Sequence, residues 1–479
     1  MVRFLVVGLI ALGAAAGQAL APPVPVITTA AGSGAGGFSG DGGQATATAL
    51  NVPIAVASMP DGSFLIADLG NHRVRRVAPD GTITTVAGTG VGASGGDNGP
   101  ATAADLVTPR GVAGTADGGF LIADRDANRI RKVAADGTIT TVAGTGAGGF
   151  GGDNGPATQA QLNQPYAASP TADGGFLIAD RGNHRIRKVA ADGTVTTVAG
   201  TGAGGFAGDN GPATQAQLNA PCMVLALPDG SFLIPDRDNQ RVRKVASDGT
   251  ITTFAGTGVA GTAGDGGPAT QAQLSGPYSV SVAPGGGVLI GERNGQRVRM
   301  VASDGTITTV AGTGGGGFAG DGGLATLAQI SAADGLALMP DGSFLIADTG
   351  NNRIRRVALG TPVATPAAGA LAPAASGPAG AGPAAAARGA LHVSLSILGR
   401  PLSGRVGLPV RIRYRSSVAG RVLVVVRKGR RFVLRTRPAA KAGLNVVRLR
   451  GFARPGTYLV RMTLPGGAAA GARLVVRAR

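Results

Sequence analysis

A repeat of 56 residues constrains the fold of this chain more than any other feature. Six related segments occur at this constant step: FLIADLGNHRVRRV, FLIADRDANRIRKV, FLIADRGNHRIRKV, FLIPDRDNQRVRKV, VLIGERNGQRVRM and FLIADTGNNRIRRV. A fixed period of this length indicates one supersecondary unit copied along the chain, because a single unit cannot bury its own apolar surface. Each segment carries one acidic residue at the same place: Asp68, Asp124, Asp180, Asp236, Glu292 and Asp348.

Each unit contains four short runs that favour β-strands, separated by turns. In the third unit the runs are residues 167–169, 176–179, 185–189 and 194–199, and Asp-Gly pairs at 173–174 and 192–193 suit tight hairpins. The composition, with 84 Gly and 29 Pro, favours many turns over long helices. Six such units predict an all-β fold, a six-bladed β-propeller.

The two ends of the repeat region are complementary. The outer-strand motif ITTVAG has a further copy, ITTAAG, that begins at Ile27, ahead of the first complete unit, whereas the last unit ends at Val357 without this strand. We therefore expect residues 26–31 to pair with residues 353–357. Such pairing closes the ring and covers an exposed sheet edge.

The repeats resemble a known propeller family. The triplets Asn71-His72-Arg73 and Asn183-His184-Arg185 match the motif that gives the NHL repeat its name, and the resemblance extends over residues 26–359. It implies a six-bladed ring. It leaves the function open, because NHL propellers include RNA binders, extracellular sensor domains and a lyase.

Segments outside the repeats indicate export and a second domain. Residues 1–21 resemble a signal peptide, cleaved after Ala19 or Ala21 or retained as an anchor, and the propeller is expected at residues 22–358. Residues 359–389 are almost wholly Ala, Pro and Gly, which predicts a linker. With Cys222 as the single cysteine, this chain has no internal disulfide. We expect a monomer that is secreted or held at the cell surface.

The C-terminal segment, residues 390–479, alternates apolar and polar residues in six or seven runs, which predicts an immunoglobulin-like β-sandwich. From residue 359 to the end there are 21 Lys and Arg and no Asp or Glu, while the rest of the chain has 23 basic and 26 acidic residues. This imbalance predicts a tether to polyanions of the cell envelope. Binding by charge alone ignores base sequence, so no sequence-specific recognition of nucleic acid is expected.

Polar residues that recur in every unit are interpreted as structural. We expect Asp68 to pair with Arg73, and their counterparts likewise, while contacting backbone groups between blades. A second set precedes the short segment ATQAQL, and we expect it to cap helices that begin at Pro100 and its counterparts, in preference to binding calcium. This set is Asp41, Asp97, Asp153, Asp209, Asp265 and Asp321.

Positions where the units differ are the candidate ligand-binding residues. The residue at the start of each innermost strand is different in almost every unit, which points to a shaped binding site around the mouth of the central channel. Random drift in a solvated funnel is the alternative. The six aligned residues are Ile54, Arg110, Tyr166, Cys222, Tyr278 and Asp334.

The units also differ at the residue that directly follows the repeated acid. Units two to five place an arginine there, which suits an anionic ligand such as an acidic glycan or peptide, because the guanidinium group donates two parallel hydrogen bonds. Ordinary surface charge, paired with Asp126 and Asp238, is the alternative. The four arginines are Arg125, Arg181, Arg237 and Arg293.

Catalysis has little support in the sequence. The chain has three histidines, and two of them, His72 and His184, occupy the same repeat position two units apart, which does not make a three-ligand zinc site. We therefore assign no catalytic residue, metal or cofactor, and expect a binding or scaffold protein with an unknown protein or glycan ligand. A secreted lyase or hydrolase acting at the channel mouth is the alternative.

Overall fold

The computed structural model describes residues 25–359 and, between residues 395 and 477, the strands alone. These two parts belong to separate compact units. The predicted signal peptide and residues 360–389 of the predicted linker lie outside the described residues. No helix in the described part of the chain has both the length and the hydropathy that a bilayer-crossing helix requires.

Residues 25–359 form the predicted six-bladed β-propeller. Each blade is an antiparallel sheet whose strands follow one another outward from the central channel in chain order, except that the outermost strand of blade 6 comes from the N-terminus. The strands, from the innermost outward, are Pro53–Ser58, Phe64–Asp68, Arg73–Val77 and Ile83–Ala87 in blade 1; Pro109–Gly114, Phe120–Asp124, Arg129–Val133 and Thr138–Ala143 in blade 2; Pro165–Pro170, Phe176–Asp180, Arg185–Val189 and Thr194–Ala199 in blade 3; Leu225–Ala226, Phe232–Asp236, Arg241–Val245 and Thr250–Ala255 in blade 4; Pro277–Val282, Val288–Glu292, Arg297–Val301 and Ile307–Ala311 in blade 5; and Ala333–Leu338, Phe344–Asp348, Arg353–Leu359 and Pro25–Ala31 in blade 6. Two-residue strands Gly99–Pro100, Gly155–Pro156 and Gly211–Pro212 extend the outer edges of blades 2, 3 and 4.

The predicted closure of the ring is confirmed. Strand Pro25–Ala31 pairs antiparallel with Arg353–Leu359, with Ile27 opposite Val357 and Thr29 opposite Arg355. Ile27 is fully buried. The first and last parts of the repeat region therefore form one four-stranded sheet, which closes the ring and covers the edge of strand Arg353–Leu359.

The core lies between neighbouring blades. In the second strand of blade 1, Leu65 packs in a cluster shared with blade 2, whereas Phe64 and Ile66 pack in a cluster shared with blade 6. Side chains alternate between the two faces of a strand, so a continuous apolar run such as Phe-Leu-Ile-Ala serves both faces at once. This is why the repeat carries an uninterrupted apolar segment instead of an alternating one.

Short 3₁₀ turns connect the second and third strands in most blades. In blade 3 the turn Arg181–Asn183 ends at His184, whose φ of 52° is left-handed. The histidine of the NHL-like motif therefore occupies a turn position, which Asn, Gln and His share in the different blades. The 3₁₀ segments are Ala45–Ala47, Leu69–Asn71, Ala101–Ala103, Ala157–Gln159, Arg181–Asn183, Ala213–Gln215, Arg237–Asn239, Ala269–Gln271, Pro284–Gly286, Ala325–Leu327 and Thr349–Asn351.

The sequence predicts strands in the C-terminal unit at residues 410–415, 422–427, 432–437, 445–449, 458–464 and 474–476, and strands overlap all six runs. One sheet joins Leu395–Leu398, Val410–Ser416 and Gly443–Leu449, and a second joins Leu402–Arg405, Ala469–Arg477, Gly456–Thr463, Leu423–Lys428 and Arg431–Thr436; the pair Gly420–Arg421 and Ala439–Ala440 forms a third. The sandwich arrangement of these sheets stays a prediction.

Register places several arginine positions of the five-stranded sheet on one of its faces. In the five-stranded sheet Val425 lies opposite both Arg435 and Arg461, and Leu459 lies opposite both Arg427 and Arg473. Residues directly opposite one another share a face of the sheet. One face therefore contains the positions Arg405, Arg427, Arg435, Arg461, Arg473 and Arg477.

Candidate functional site

The structure brings all six divergent residues together at one end of the central channel. A cavity of about 220 Å³ lies among the six innermost strands, and its lining includes all six. We call Ile54, Arg110, Tyr166, Cys222, Tyr278 and Asp334 the mouth cluster. The six residues thus lie around the channel, as expected from their position in the repeats. That they bind a ligand stays a prediction.

A β-bulge sets the direction of the mouth residues. In blade 3, Pro165 lies opposite Asp180 and Ala167 lies opposite Ala179, so Tyr166 is the extra residue in the strand pair. The same irregularity falls at the aligned position in blades 1, 2 and 5. A bulged residue leaves the regular ladder and takes a new side-chain direction. The repeated backbone therefore presents a different side chain from each blade to a common place.

Blade 4 departs from this pattern for a reason visible in its sequence. Pro235 stands where most other blades have alanine, and proline has no backbone N–H to donate to the innermost strand. The innermost strand of blade 4 is accordingly reduced to Leu225–Ala226, and Cys222 precedes it with its own N–H donating to the carbonyl of Pro235 at 3.2 Å. Cys222 is thus held beside the channel by an irregular segment.

The mouth cluster is packed and largely shielded from water. Ile54, Tyr166, Cys222 and Tyr278 come from four different blades and belong to one apolar cluster. Asp334 is 1% exposed, and none of these four exceeds 9%. These positions do not form the solvated funnel that the alternative interpretation required. Substitutions here change packing across the central axis.

Arg110 connects the two tyrosines of the mouth cluster. Its Nη2 donates to the hydroxyl of Tyr278 at 2.5 Å, and its guanidinium lies 4.0 Å from the ring centre of Tyr166. Arg181 lies 4.6 Å from the same ring. A cation over an aromatic face is attracted by the ring quadrupole, most strongly where water is excluded. The tyrosines therefore hold two arginines at the mouth.

Asp334 is the buried acid of the mouth. Its Oδ2 lies 3.2 Å from Nη1 of Arg293, whose side chain is partly exposed. Burial raises the pKa of Asp334 to about 6, and the positive charges of Arg293 and Arg110 oppose that rise. The mouth thus combines a shielded carboxyl group with cationic neighbours.

The four predicted top-face arginines differ in their partners. Arg125 forms two hydrogen bonds with Asp126, at 2.7 and 2.5 Å, and Arg237 lies 3.6 Å from Asp238. These two therefore have the local partners that the surface-charge alternative named. Arg293 instead pairs with Asp334 of the mouth cluster. Arg181 forms no ion pair within residues 25–359.

Cys222 is not in a reactive state. The side chain is 2% exposed, and burial raises its pKa to about 11. A thiol with this pKa is protonated near neutral pH, and the thiolate is the nucleophilic form. Within the described residues, no group of three or more His, Cys, Asp or Glu converges as a metal site would require.

The expected role of the connector aspartates as helix caps is wrong. Pro100 precedes a single 3₁₀ turn, Ala101–Ala103, that has no side-chain cap, and Gly99–Pro100 pairs with the outermost strand. Asp97 instead bonds Arg131, at 2.7 Å, and the hydroxyl of Thr141, at 2.6 Å. Tertiary ion pairing prevails over local capping because the arginine is buried and requires an anion.

The expected pairing of Asp68 with Arg73 is also wrong in its choice of arginine. The repeated acid accepts the backbone N–H of Asn51 at 2.7 Å, as predicted for backbone contacts between blades, but the arginine near it is Arg75, at 3.7 Å. Arg73 donates to backbone carbonyls. We name the second arginines of the repeats the buried arginine ring: Arg75, Arg131, Arg187, Arg243, Arg299 and Arg355.

Each member of the buried arginine ring is at most 1% exposed and pairs with a connector aspartate at 2.5–2.8 Å. These six arginines were not predicted as a buried set from the sequence. Their recurrence at every step, two positions after the first arginine and therefore on the same strand face, was the available signal.

Four exposed phenylalanines were also overlooked. Phe150 is 43% exposed, and the guanidinium of Arg185 lies 3.7 Å from its ring centre. Blades 2 and 5 have Ser94 and Thr262 at the aligned position. The four rings, each stacked with arginine, are Phe38, Phe150, Phe206 and Phe318.

Comparison with known proteins supports the fold class. No family model matches the chain, so membership of the NHL family stays a prediction. Teneurin-m of Drosophila melanogaster is 28% identical over 361 residues, covering 68% of this chain and 13% of its own length. Teneurin-3 of Danio rerio is 29% identical over 360 residues, covering 66% of this chain and 12% of its own length. The chain thus spans about one eighth of the length of these relatives.

Solved propellers of bacteria share the fold. A protein of unknown function from Bacteroides thetaiotaomicron superposes with a TM-score of 0.53 at 17% identity, covering 70% of this chain and 76% of its own. An auxiliary nutrient binding protein from Bacteroides ovatus gives a TM-score of 0.52 at 15% identity, with coverage of 70% and 77%. At these identities the likeness establishes the propeller alone.

Proposed function

We propose that this chain is a secreted or cell-surface binding protein whose channel mouth recognises an anionic ligand. The observation that carries the proposal is the mouth cluster itself: one backbone position, repeated six times, presents five different residue types into a shared cavity. Packing around a pseudo-sixfold axis does not require such variety, whereas recognition of an asymmetric ligand does.

The sign of the local charge supports an anion. Five arginines surround the mouth, and the carboxylates paired with them or near them are Asp126, Asp238 and Asp334. Positive groups therefore exceed negative ones. An acidic glycan or an acidic peptide fits this surplus, because arginine donates paired hydrogen bonds to carboxylate groups. The five arginines are Arg110, Arg125, Arg181, Arg237 and Arg293.

Binding of labelled probes tests the proposal. A fluorescent hyaluronate hexasaccharide and a fluorescent hexaglutamate represent the two acidic classes, and we expect the chain to bind at least one of them. The double variant Arg181→Ala with Arg237→Ala should lose roughly tenfold in affinity, about 1.4 kcal/mol. Arg356→Ala, which removes an exposed arginine paired with Asp341, is the matched control. Equal binding by both variants would contradict a role for the mouth.

We propose further that the C-terminal unit tethers the protein to envelope polyanions. Arg405 lies directly opposite Arg477, and Arg411 lies directly opposite Arg448. Like charges opposite one another destabilise a sheet unless a counter-ion screens them. Residues 359–479 contain no Asp or Glu, so the counter-charge must come from outside this segment, and a polyanion of the envelope would supply it.

Retention on heparin-agarose tests the tether. Reversing the charge of Arg427, Arg461 and Arg473 to Glu should lower the salt concentration that elutes the full chain, because fewer counterions are released on binding. The same change of charge at Lys132, Lys188 and Lys244 of the propeller is the control. An equal shift in the two variants would mean that net charge, and not this face, governs retention.

The enzyme alternative has a separate test. Stoichiometric, tightly held zinc or calcium in the purified protein, located at the channel axis, would favour a lyase or hydrolase. The protonated state of Cys222 gives no support to a thiol nucleophile.

A further inference from the structure

The mouth cluster and two arginines near it, Arg181 and Arg237, contain hydrogen-bonding atoms that the described protein does not satisfy. Both carboxyl oxygens of Asp334 and the Nε atoms of Arg110, Arg181 and Arg237 are buried, and none has a hydrogen-bond partner within residues 25–359. Buried polar groups in native proteins are almost always paired with protein, water or ligand. Among the residues that carry these atoms, Arg110 of blade 2 and Asp334 of blade 6 line the cavity, so a single bound molecule is able to contact both residues.

Two internal donors, Arg293 and the hydroxyl of Thr349, lie near Asp334, but within residues 25–359 neither is aligned as a full hydrogen-bond partner. Arg293 lies 3.2 Å away as an ion pair but its geometry is not that of a hydrogen bond. The hydroxyl of Thr349 donates to the carbonyl of Pro53 at 2.8 Å, and so its hydrogen is already used. A ligand that completes this site must therefore bring a donor for Asp334 and an acceptor for the arginine Nε–H groups.

The charge of the surroundings selects the type of donor. An ammonium group beside Asp334 would also lie near Arg293, Arg110 and Arg237, whose charges act on this carboxyl group. Like charges in a water-poor site repel strongly. A neutral hydroxyl group donates a hydrogen bond without that repulsion. The acceptor for the arginines is most simply a carboxylate, as the surplus of positive charge requires.

The size of the cavity limits the ligand. Its volume of about 220 Å³ lies below the roughly 300–1,000 Å³ of pockets for drug-sized molecules. Small side chains, such as those of Ala55, Ala57, Ala113 and Ala167, line the channel beyond the mouth. A molecule of monosaccharide size fits this space, and a polymer would enter only with a terminal unit.

We propose that the mouth cluster binds a hydroxylated carboxylic acid of monosaccharide size, a sugar acid. Its carboxylate accepts hydrogen bonds from Arg110, and its hydroxyl groups donate to Asp334. The inference rests on the proposed function, since it names the ligand class of the same site.

Calorimetric titration of the full chain tests the ligand class. The probes are a panel of D-glucuronate, D-galacturonate and D-gluconate, together with D-glucose, which lacks the acid, and cyclohexanecarboxylate, which lacks the hydroxyls. We expect at least one sugar acid to bind at least tenfold more tightly than either analogue. Asp334→Asn should reduce that affinity about tenfold and change cyclohexanecarboxylate binding less than twofold. Asp341→Asn, in the same blade but exposed, is the control and should have no effect.

The outcomes separate this inference from the proposed function. If cyclohexanecarboxylate binds as tightly as every sugar acid, or if Asp334→Asn binds sugar acids like the unaltered chain, the role of hydroxyl groups is overturned while anion recognition stands. If glucose binds as tightly as the acids, the requirement for a carboxylate on the ligand is overturned. If no member of the panel binds but hexaglutamate does, the sugar-acid class is overturned alone. Circular dichroism confirms that each variant is folded.

Discussion

The buried arginine ring and the mouth cluster each take one residue from every blade, yet they are built in opposite ways. In the ring the same residue recurs in every blade, and each copy pairs with a connector aspartate within 2.8 Å. In the mouth the residue changes from blade to blade, and the carboxyl oxygens of Asp334 have no hydrogen-bond partner within residues 25–359; some guanidinium nitrogens of Arg75 and Arg355 in the ring also lack one. The same ion pair repeated in every blade indicates a part of the scaffold, whereas residues that vary around a shared cavity indicate a place where a ligand binds.

Breaking the ring should have the largest effect. Arg187 is fully buried between Asp153, at 2.6 Å, and Asp180, at 3.5 Å. Arg187→Ala leaves Asp180 as a buried carboxylate without its cation, and we expect the free energy of unfolding to fall by about 3–5 kcal/mol. Urea denaturation followed by circular dichroism measures this.

The neighbouring residue is a control for that prediction. Lys188 pairs with Asp173 at 2.6 Å, but both side chains are substantially exposed to water. Lys188→Ala should cost no more than about 1 kcal/mol, since exposed pairs contribute little. If Arg187→Ala and Lys188→Ala lose similar free energies of unfolding, the buried ion pairs of the ring contribute no more to stability than exposed pairs.

Removing the buried acid of the mouth should increase the free energy of unfolding, in contrast to removing an arginine of the ring. The pKa of Asp334 is raised from an ordinary value of 3.8 to about 6, so the folded protein retains a proton that the unfolded chain releases between these pH values. Stability from this group is therefore complete below pH 4 and is lost as the pH rises to 6. Asp334→Asn should be more stable than the unaltered chain by up to about 3 kcal/mol at pH 8 and nearly equal at pH 4.

Thermal melts of the variant and the unaltered chain at pH 4 and pH 8 measure this difference. The other buried acids are present in both proteins, so their pH-dependent contributions cancel in the comparison. A variant that is less stable at pH 8 would show that Asp334 serves the scaffold, and the contrast between the two regions would fail.

Blade 5 offers a smaller test of uniformity. In blade 3 the repeated acid Asp180 accepts from the side chain of Asn183 at 2.8 Å. In blade 5 the longer Glu292 stands in place of the aspartate and Gly295 in place of the asparagine; Glu292 lies 3.6 Å from Arg299, but neither of its oxygens has a hydrogen-bond partner within residues 25–359. A β-carbon at Gly295 would clash with the Glu292 carboxylate.

We therefore expect Gly295→Asn alone to destabilise, and the pair Glu292→Asp with Gly295→Asn to be about 1–2 kcal/mol more stable than the unaltered chain, because hydrogen bonds to a buried carboxylate are restored. A double-mutant cycle in urea measures the coupling. Additive effects would mean that blade 5 is no less well paired than its neighbours.

The smallest change concerns Cys222. Because burial keeps its thiol protonated, we expect no reaction with Ellman's reagent in the folded protein at pH 8 and one equivalent in urea. Rapid labelling of the folded chain would show instead that the irregular segment of blade 4 opens the mouth to water.

Long-range order was easier to predict from this sequence than side-chain partners. The extra ITTAAG motif at Ile27 correctly indicated closure with Val357. The repeat region has one strand too many at its start and one too few at its end, so pairing the two ends completes the last blade. Asp97 was assigned to the wrong partner. Capping depends on neighbours in sequence, and Arg131, its actual partner, lies 34 residues away in a different strand.

By itself the sequence determined the number of blades, their strand order and the six positions around the channel, because periodicity and turn chemistry are local and are repeated in the chain. Tertiary structure alone decided which arginine is buried, which acid it meets, and that Asp334 has no aligned hydrogen-bond partner within residues 25–359. Burial and hydrogen-bond satisfaction are properties of packed neighbours from different blades, and no spacing along the chain records them.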